Sequence, residues 1–211
     1  NALITYPWSR FRHLSSGAAE TVKAIVLYTY GGPEMLEVRE TPDPQPRAGE
    51  VRVRVRACGL NFAEVMARQG LYPDAPKPPC VLGYEVAGDV DALGDGVEGF
   101  EVGQRVMGAC RFGGYAQLAV AKAGAVLPLP DGWSYSEGAA MPVTYATAYA
   151  GLVRFGGLRA GERVLIQAAG GGVGIAATQI AKLIGAEVYG TASPAKHDAI
   201  RGFGVDHPVD Y

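Results

Sequence analysis

The sequence has little of what would tie a chain to a membrane, a nucleic acid or a disulfide framework. Its 211 residues hold three cysteines, Cys58, Cys80 and Cys110, far apart and without a CxxC pair. Such sparse usage excludes a disulfide scaffold and points to a reducing compartment, here read as the cytoplasm. No run approaches the ~18 continuous apolar residues of a membrane-spanning helix. The formal net charge is only −2, so no whole-molecule field draws the chain to nucleic acid or an anionic surface. Internal repeats and low-complexity tracts are missing as well. Residues 1–21 lack the apolar core of a signal peptide. Arg10 and Arg12 outnumber the single acid Glu20 there, which leaves an organelle presequence open, but the expectation is a disordered tail or an upstream remnant.

What is present in quantity is glycine and proline, 30 and 14 residues. They fit short strands joined by tight turns, together with a glycine-dependent binding loop. Lys23–Tyr28 and Leu36–Glu40 read as strands, and the alternate prolines of Thr41–Pro46 argue against regular structure there. Glu50–Ala57 alternates valine with arginine, the period of a strand with one wet and one buried face; its arginines read as a solvated face. Asn61–Gln69 reads as a short helix. Strands follow at Val86–Leu93, Arg105–Ala109, Gly114–Val120 and Val126–Pro128, a small barrel or sandwich pattern. Helices are expected at Ser136–Ala140 and Tyr145–Val153. The order then changes to strand Glu162–Ala169, helix Gly172–Gly185, strand Glu187–Ala192, helix Pro194–Phe203 and strand His207–Tyr211. That alternation predicts a parallel sheet, of which a doubly wound dinucleotide fold ordinarily has about six strands. The fold class is α/β: a β-rich domain over 22–145, then the first half of a nucleotide-binding sheet over 146–211.

The most specific motif is the apolar strand Val164-Leu165-Ile166 running through Gln167-Ala168 into Ala169-Gly170-Gly171-Gly172-Val173-Gly174 and a helix. It matches the dinucleotide fingerprint, with Ala169, Gly171 and Gly174 at the three glycine positions. Gly171 lets backbone approach a pyrophosphate, Gly174 lets the helix pack close on the strand, and the helix N-terminus, with Gly172 and Val173, presents N–H groups. An NAD site places an acid about 20 residues on. Here the second strand ends Thr191-Ala192-Ser193 without one, and Ser193 and Lys196 stand where a 2′-phosphate would sit. The cofactor expected is NADPH.

These residues, with Ala57-Cys58-Gly59-Leu60-Asn61-Phe62 through Gly70-Leu71-Tyr72, Gly83-Tyr84-Glu85-Val86-Ala87-Gly88, Gly103-Gln104-Arg105-Val106 and Gly190-Thr191-Ala192-Ser193, resemble the zinc-free quinone oxidoreductases of the zeta-crystallin type. These belong to the medium-chain dehydrogenase/reductase superfamily, and the resemblance is strongest to the branch with the vesicle amine transport protein. It implies a GroES-like catalytic domain followed by a Rossmann domain whose later strands lie beyond Tyr211. It also implies a homodimer for the full-length relative. Where zinc relatives have a Cys and the His of a Gly-His-Glu motif, this chain has Asn61 and Tyr84, poor zinc ligands, so no metal is expected. The resemblance makes Asn61 a contact for ribose or acceptor and Tyr72 a candidate proton donor. It makes Thr144 and Tyr211 cofactor contacts, the latter at the 2′-phosphate. Three functions follow: reduction of a quinone or conjugated enone, reduction of an enoyl thioester, or NADPH binding by a structural or membrane-associated protein without turnover.

Overall fold

The computed structural model describes residues 20–210. Of the tail expected over residues 1–21, residues 1–19 lie outside them, as does the Tyr211 cofactor contact, while Thr21 already begins a strand. The chain divides between Ala139 and Ala140 into two compact units. The boundary expected at 145/146 falls within a helix of the second.

The first unit contains β1 (Thr21–Leu27), β2 (Leu36–Pro42), β3 (Glu50–Cys58), α1 (Phe62–Arg68), β4 (Cys80–Val81), β5 (Glu85–Leu93), β6 (Arg105–Ala109), β7 (Leu118–Lys122), β8 (Val126–Pro128) and α2 (Tyr135–Ala139). Five strands form one antiparallel sheet in the order β7-β3-β5-β6-β8, and three form another in the order β2-β1-β4. Alternation decides which face of β3 is buried. Val51 and Val53 are enclosed beside Val86, Val90 and Val106, each burial worth roughly 1.5–3 kcal/mol. The intervening arginines reach across to β5, where Asp91 accepts from Arg52 and Arg54 and Asp89 from Arg56.

Two expectations for this unit need correction. β2 continues through Thr41 and Pro42, which pair with Val22 and Thr21; a proline is tolerated there because it closes an edge strand. The strand expected at Gly114–Val120 is regular only over Leu118–Lys122. The residues before it are drawn aside to bridge the two sheets: the Ile25 N–H donates to the Tyr115 carbonyl at 2.8 Å and the Gln117 N–H to the Lys23 carbonyl at 3.0 Å.

The second unit contains α3 (Pro142–Tyr149), β9 (Arg163–Ile166), α4 (Gly172–Ile184), β10 (Glu187–Thr191), α5 (His197–Gly202) and β11 (His207–Val209). Its sheet is parallel, in the order β11-β10-β9, the order of the first half of a doubly wound fold. Ile166, Ala169, Ala176, Ala177, Ala181, Val188 and Ile200 build its core. The alanines of α4 keep the helix close to the strands. α3 starts at Pro142, earlier than expected, since proline suits the first position of a helix. From Ala150 to Phe155 the helix widens to a π turn, which the 3.6-residue period of the sequence does not disclose.

Candidate functional site

The second unit carries the glycine turn expected to cradle a phosphate. β9 ends at Ile166, the chain turns through Ala168–Gly171, and α4 begins at Gly172 with Gly171 as its extended N-cap. A Cβ on Gly174 would stand 2.4 Å from the Ala168 carbonyl oxygen and 2.7 Å from Ala169 Cα. Both are backbone atoms that cannot move aside, so only glycine lets the helix start this close to the strand. The first turn of α4 leaves N–H groups without intrahelical acceptors and adds the positive end of a 13-residue helix.

Thr191, at the end of β10, fixes the turn. Its Oγ1 accepts from the Ala168 N–H at 3.0 Å and its carbonyl from the Ala169 N–H at 2.9 Å. Ala168 is held at φ +48°, a left-handed conformation that costs an alanine about 1 kcal/mol. Neither Thr191 nor Ala168 was singled out from the sequence; a positive φ at alanine leaves no trace there. Ala169, expected at the cofactor, is fully buried, and its N–H is spent on Thr191. It shapes the loop and offers a ligand neither side chain nor N–H.

The other cofactor candidates gather around this turn. A Cβ on Gly172 would lie 3.1 Å from Thr144 Cγ2, which places Thr144 against the start of α4. Its hydroxyl donates back to the Ala140 carbonyl at 2.7 Å. Val173 is exposed on the first helical turn. Lys196 is exposed, and its Cδ lies 3.6 Å from where a Gly170 Cβ would be, so its stem runs beside the glycine turn. Ser193 caps the short 3-10 turn that carries Lys196, and His197 Nε2 donates to the Ala192 carbonyl at 3.0 Å to close it. Ser193, Lys196 and the glycine turn thus share one end of the sheet, with no acidic residue among Thr191, Ala192 and Ser193.

The first unit carries a buried polar cluster around Asn61. Asn61 is the N-cap of α1, and Glu64 three residues on completes the Asn-x-x-Glu pattern of a capping box. The Glu64 carboxylate accepts from the Asn61 N–H at 2.7 Å and from the Tyr84 N–H at 3.0 Å. One side chain therefore ties together the two positions that hold Cys and His in zinc relatives. Asn61 Nδ2 donates to Glu85 Oε1 at 2.9 Å. Glu64 and Glu85 are both buried. Burial raises the Glu64 pKa above its ordinary value, against the opposing hydrogen bonds from the Asn61, Glu64 and Tyr84 N–H groups. Burial likewise raises the Tyr84 phenol, with the neighbouring Tyr72 phenol adding to it.

Tyr72 is half-buried against the cluster of Leu27, Ala67, Leu82 and Tyr115. Its ring meets that of Tyr84 edge-on, with centroids 6.0 Å apart. Tyr72 joins the Asn61 group through Tyr84. Leu60, Phe62 and Leu71, flanking Asn61 and Tyr72 in the chain, are exposed. Among the described residues no three His, Cys, Asp or Glu side chains are gathered as a metal-ligand set, and no helix is long and apolar enough to cross a membrane. In the sequence Glu85 stands out only as the acid of Gly83-Tyr84-Glu85, with nothing to assign it a task. The Asn61-x-x-Glu64 spacing was a readable signal for Glu64.

The alcohol dehydrogenase GroES-like domain matches residues 47–131. The synaptic vesicle membrane protein VAT-1 homolog of Danio rerio is 45% identical over 193 residues, which make up 90% of this chain and 40% of that protein. The crystal structure of the human VAT-1 homolog-like protein is similar at a TM-score of 0.85 and 42% identity, over 90% of this chain and 61% of that one. The quinone oxidoreductase of Coxiella burnetii gives a TM-score of 0.85 at 30% identity over 91% and 63%. CurK enoyl reductase gives 0.84 at 34% identity over 90% and 60%. The chain belongs to the medium-chain dehydrogenase/reductase superfamily, on the side of its zinc-free quinone oxidoreductases. It spans only part of the length of each of these relatives.

Proposed function

We propose that the protein is an NADPH-dependent oxidoreductase that reduces quinones or conjugated enones without a metal. The observation that carries this reading is the glycine turn at the head of α4 with Lys196 alongside it and no acid at the end of β10. The free N–H groups of Gly172, Val173 and Gly174 suit a pyrophosphate. Ser193 and Lys196 suit a 2′-phosphate, with Tyr211 completing that set and Thr144 bordering the turn. A bound nicotinamide supplies the hydride. A hydride acceptor of this class develops negative charge on an oxygen, and a preorganised donor lowers that cost. Asn61 binds the ribose or the acceptor oxygen, and the Tyr72 phenol stabilises the oxyanion and delivers its proton. The exposed Leu60, Phe62 and Leu71 favour an apolar acceptor. The three free thiols, Cys58, Cys80 and Cys110, suit a reducing, cytoplasmic setting.

The likeness to CurK enoyl reductase supports a second reading, in which the acceptor is an enoyl thioester and Tyr72 is its acid. Oxidation of NADPH and NADH measured in parallel with a quinone, an enone and an enoyl thioester separates the two. Turnover of quinone or enone with preference for NADPH is expected. Turnover of the thioester alone establishes the second reading. NADPH binding without turnover of any acceptor replaces both with a binding protein.

A further inference from the structure

We infer that Glu85 is a positioning residue for Asn61: it holds the side-chain amide with the nitrogen turned into the barrel, which commits the amide oxygen to the other side. The inference deepens the reading of Asn61 as a site residue and rests on it. Three observations carry it. Glu85 is among the most deeply buried side chains of the first unit, 1% exposed, in surroundings that make an ionisable group costly. A carboxylate left there has a task that an apolar side chain would not perform. Space is also reserved for it, because a Cβ on Gly59 would stand 2.2 Å from Glu85 Oε1 and 2.5 Å from its Cγ. Lastly, Glu85 Oε1 receives the Asn61 Nδ2 hydrogen bond at 2.9 Å.

Oε1 accepts from the amide nitrogen, so it favours this amide orientation over the flipped one, which would set two acceptor oxygens against each other. Meanwhile Glu64 fixes the Asn61 backbone through its N–H. The side chain is thus held at both ends, its nitrogen by Glu85 and its oxygen by the Glu64 backbone N–H that completes the capping box. A ribose or substrate hydroxyl that donates to the second lone pair of that oxygen meets a preorganised acceptor, whereas a freely rotating amide would have to be ordered first.

The experiment uses the full-length polypeptide as its gene encodes it. It compares wild type with Glu85→Met, which keeps the bulk and removes the acceptor, and Glu85→Gln, which restores an acceptor oxygen without charge. Expected is a loss of about tenfold or more in kcat/KM for Glu85→Met, on protein that still melts cooperatively, with the thermal midpoint lowered because the Asn61 amide nitrogen loses its acceptor. Recovery by Glu85→Gln to within about threefold of wild type is expected with it. Full activity of Glu85→Met overturns the proposal. So does a loss in Glu85→Gln equal to that in Glu85→Met, since the charge rather than the acceptor would then matter. A second measurement needs neither turnover nor a variant. In the wild type one Asn61 side-chain N–H should exchange slowly with solvent by NMR, and fast exchange of both overturns the proposal. A wild type that turns over no acceptor yet protects that N–H refutes the functional reading and leaves the positioning role standing.

Discussion

Lys196 and Asp206 do opposite kinds of work with a single charge. Lys196 is exposed beside Gly170, and the proposal gives it a phosphate that only one of the two nicotinamide cofactors possesses. Lys196→Glu should therefore weaken NADPH by about 1.5 kcal/mol, roughly tenfold, and leave NADH nearly unchanged. Titrating both cofactors by fluorescence checks it, and equal losses for the two would remove Lys196 from the 2′-phosphate. Asp206 is a structural anion. It accepts from Lys182 Nζ on α4 at 2.8 Å and from the Val188 N–H on β10 at 2.8 Å. These partners, Lys182 first and then the Val188 N–H, hold its pKa below the ordinary carboxylate value. A depressed folded-state pKa gives stability that is present above the unfolded value, near 4, and lost as pH falls through the folded one. Asp206→Asn should cost about 1 kcal/mol at pH 7, an effect that shrinks in urea titrations as the pH is taken down below the ordinary carboxylate range. A pH-independent cost would assign the effect to packing instead.

At the scale of elements, the turn into α4 is where sequence and geometry agree most closely, and a pair of glycines tests why. Gly174→Ala would drive a Cβ into the backbone of Ala168 and Ala169. The helix must shift, at a cost of about 1–3 kcal/mol, and nicotinamide binding should fall with it. Gly202, at the end of α5, has nothing within 4 Å of an added Cβ. Gly202→Ala should therefore stabilise by up to about 1 kcal/mol. Thermal melts of the two variants should move in opposite directions; a shared direction would mean that helix propensity, and not close approach, sets the response. This turn was legible because a glycine motif states its own backbone geometry. β3 was legible because Val51 and Val53 alternate with Arg52 and Arg54. The segment before β7 was not, because Tyr115 and Gln117 are held by a bridge to β1, a residue stretch distant in the chain. The π turn after α3 left no periodic trace either. At the candidate site, Asn61 is marked out by the resemblance, whereas Glu64 was not read, although its cap spacing carries the signal. Glu85 was not, since a sequence does not disclose that an acid is buried until the strands around it are in place.

At the scale of the whole molecule, the second unit presents apolar surface that its own strands leave open. Among the described residues β9 pairs with β10 alone, so its other edge offers unpaired backbone groups. Leu165 on β9 is 60% exposed and Leu183 on α4 is 88% exposed. A parallel sheet ordinarily has both faces covered and its edges protected, and relatives of this chain are longer, the chain spanning 40% of the zebrafish protein and 61% of the human homolog-like structure. On the proposed function the glycine turn would take only the pyrophosphate, and orienting a nicotinamide over an acceptor would need further contacts. We therefore expect the 211-residue polypeptide by itself to self-associate and to oxidise NADPH with quinone slowly. A hybrid in which the part of the human homolog-like protein that this chain does not span follows Tyr211 should be better behaved and active. Light scattering and steady-state NADPH oxidation on the two polypeptides at equal concentration decide it. The added part should lower the scattering by covering β9 and raise the rate by supplying the further nicotinamide contacts. A monodisperse short chain with the full rate would show that the two units described here already contain every contact that the chemistry uses.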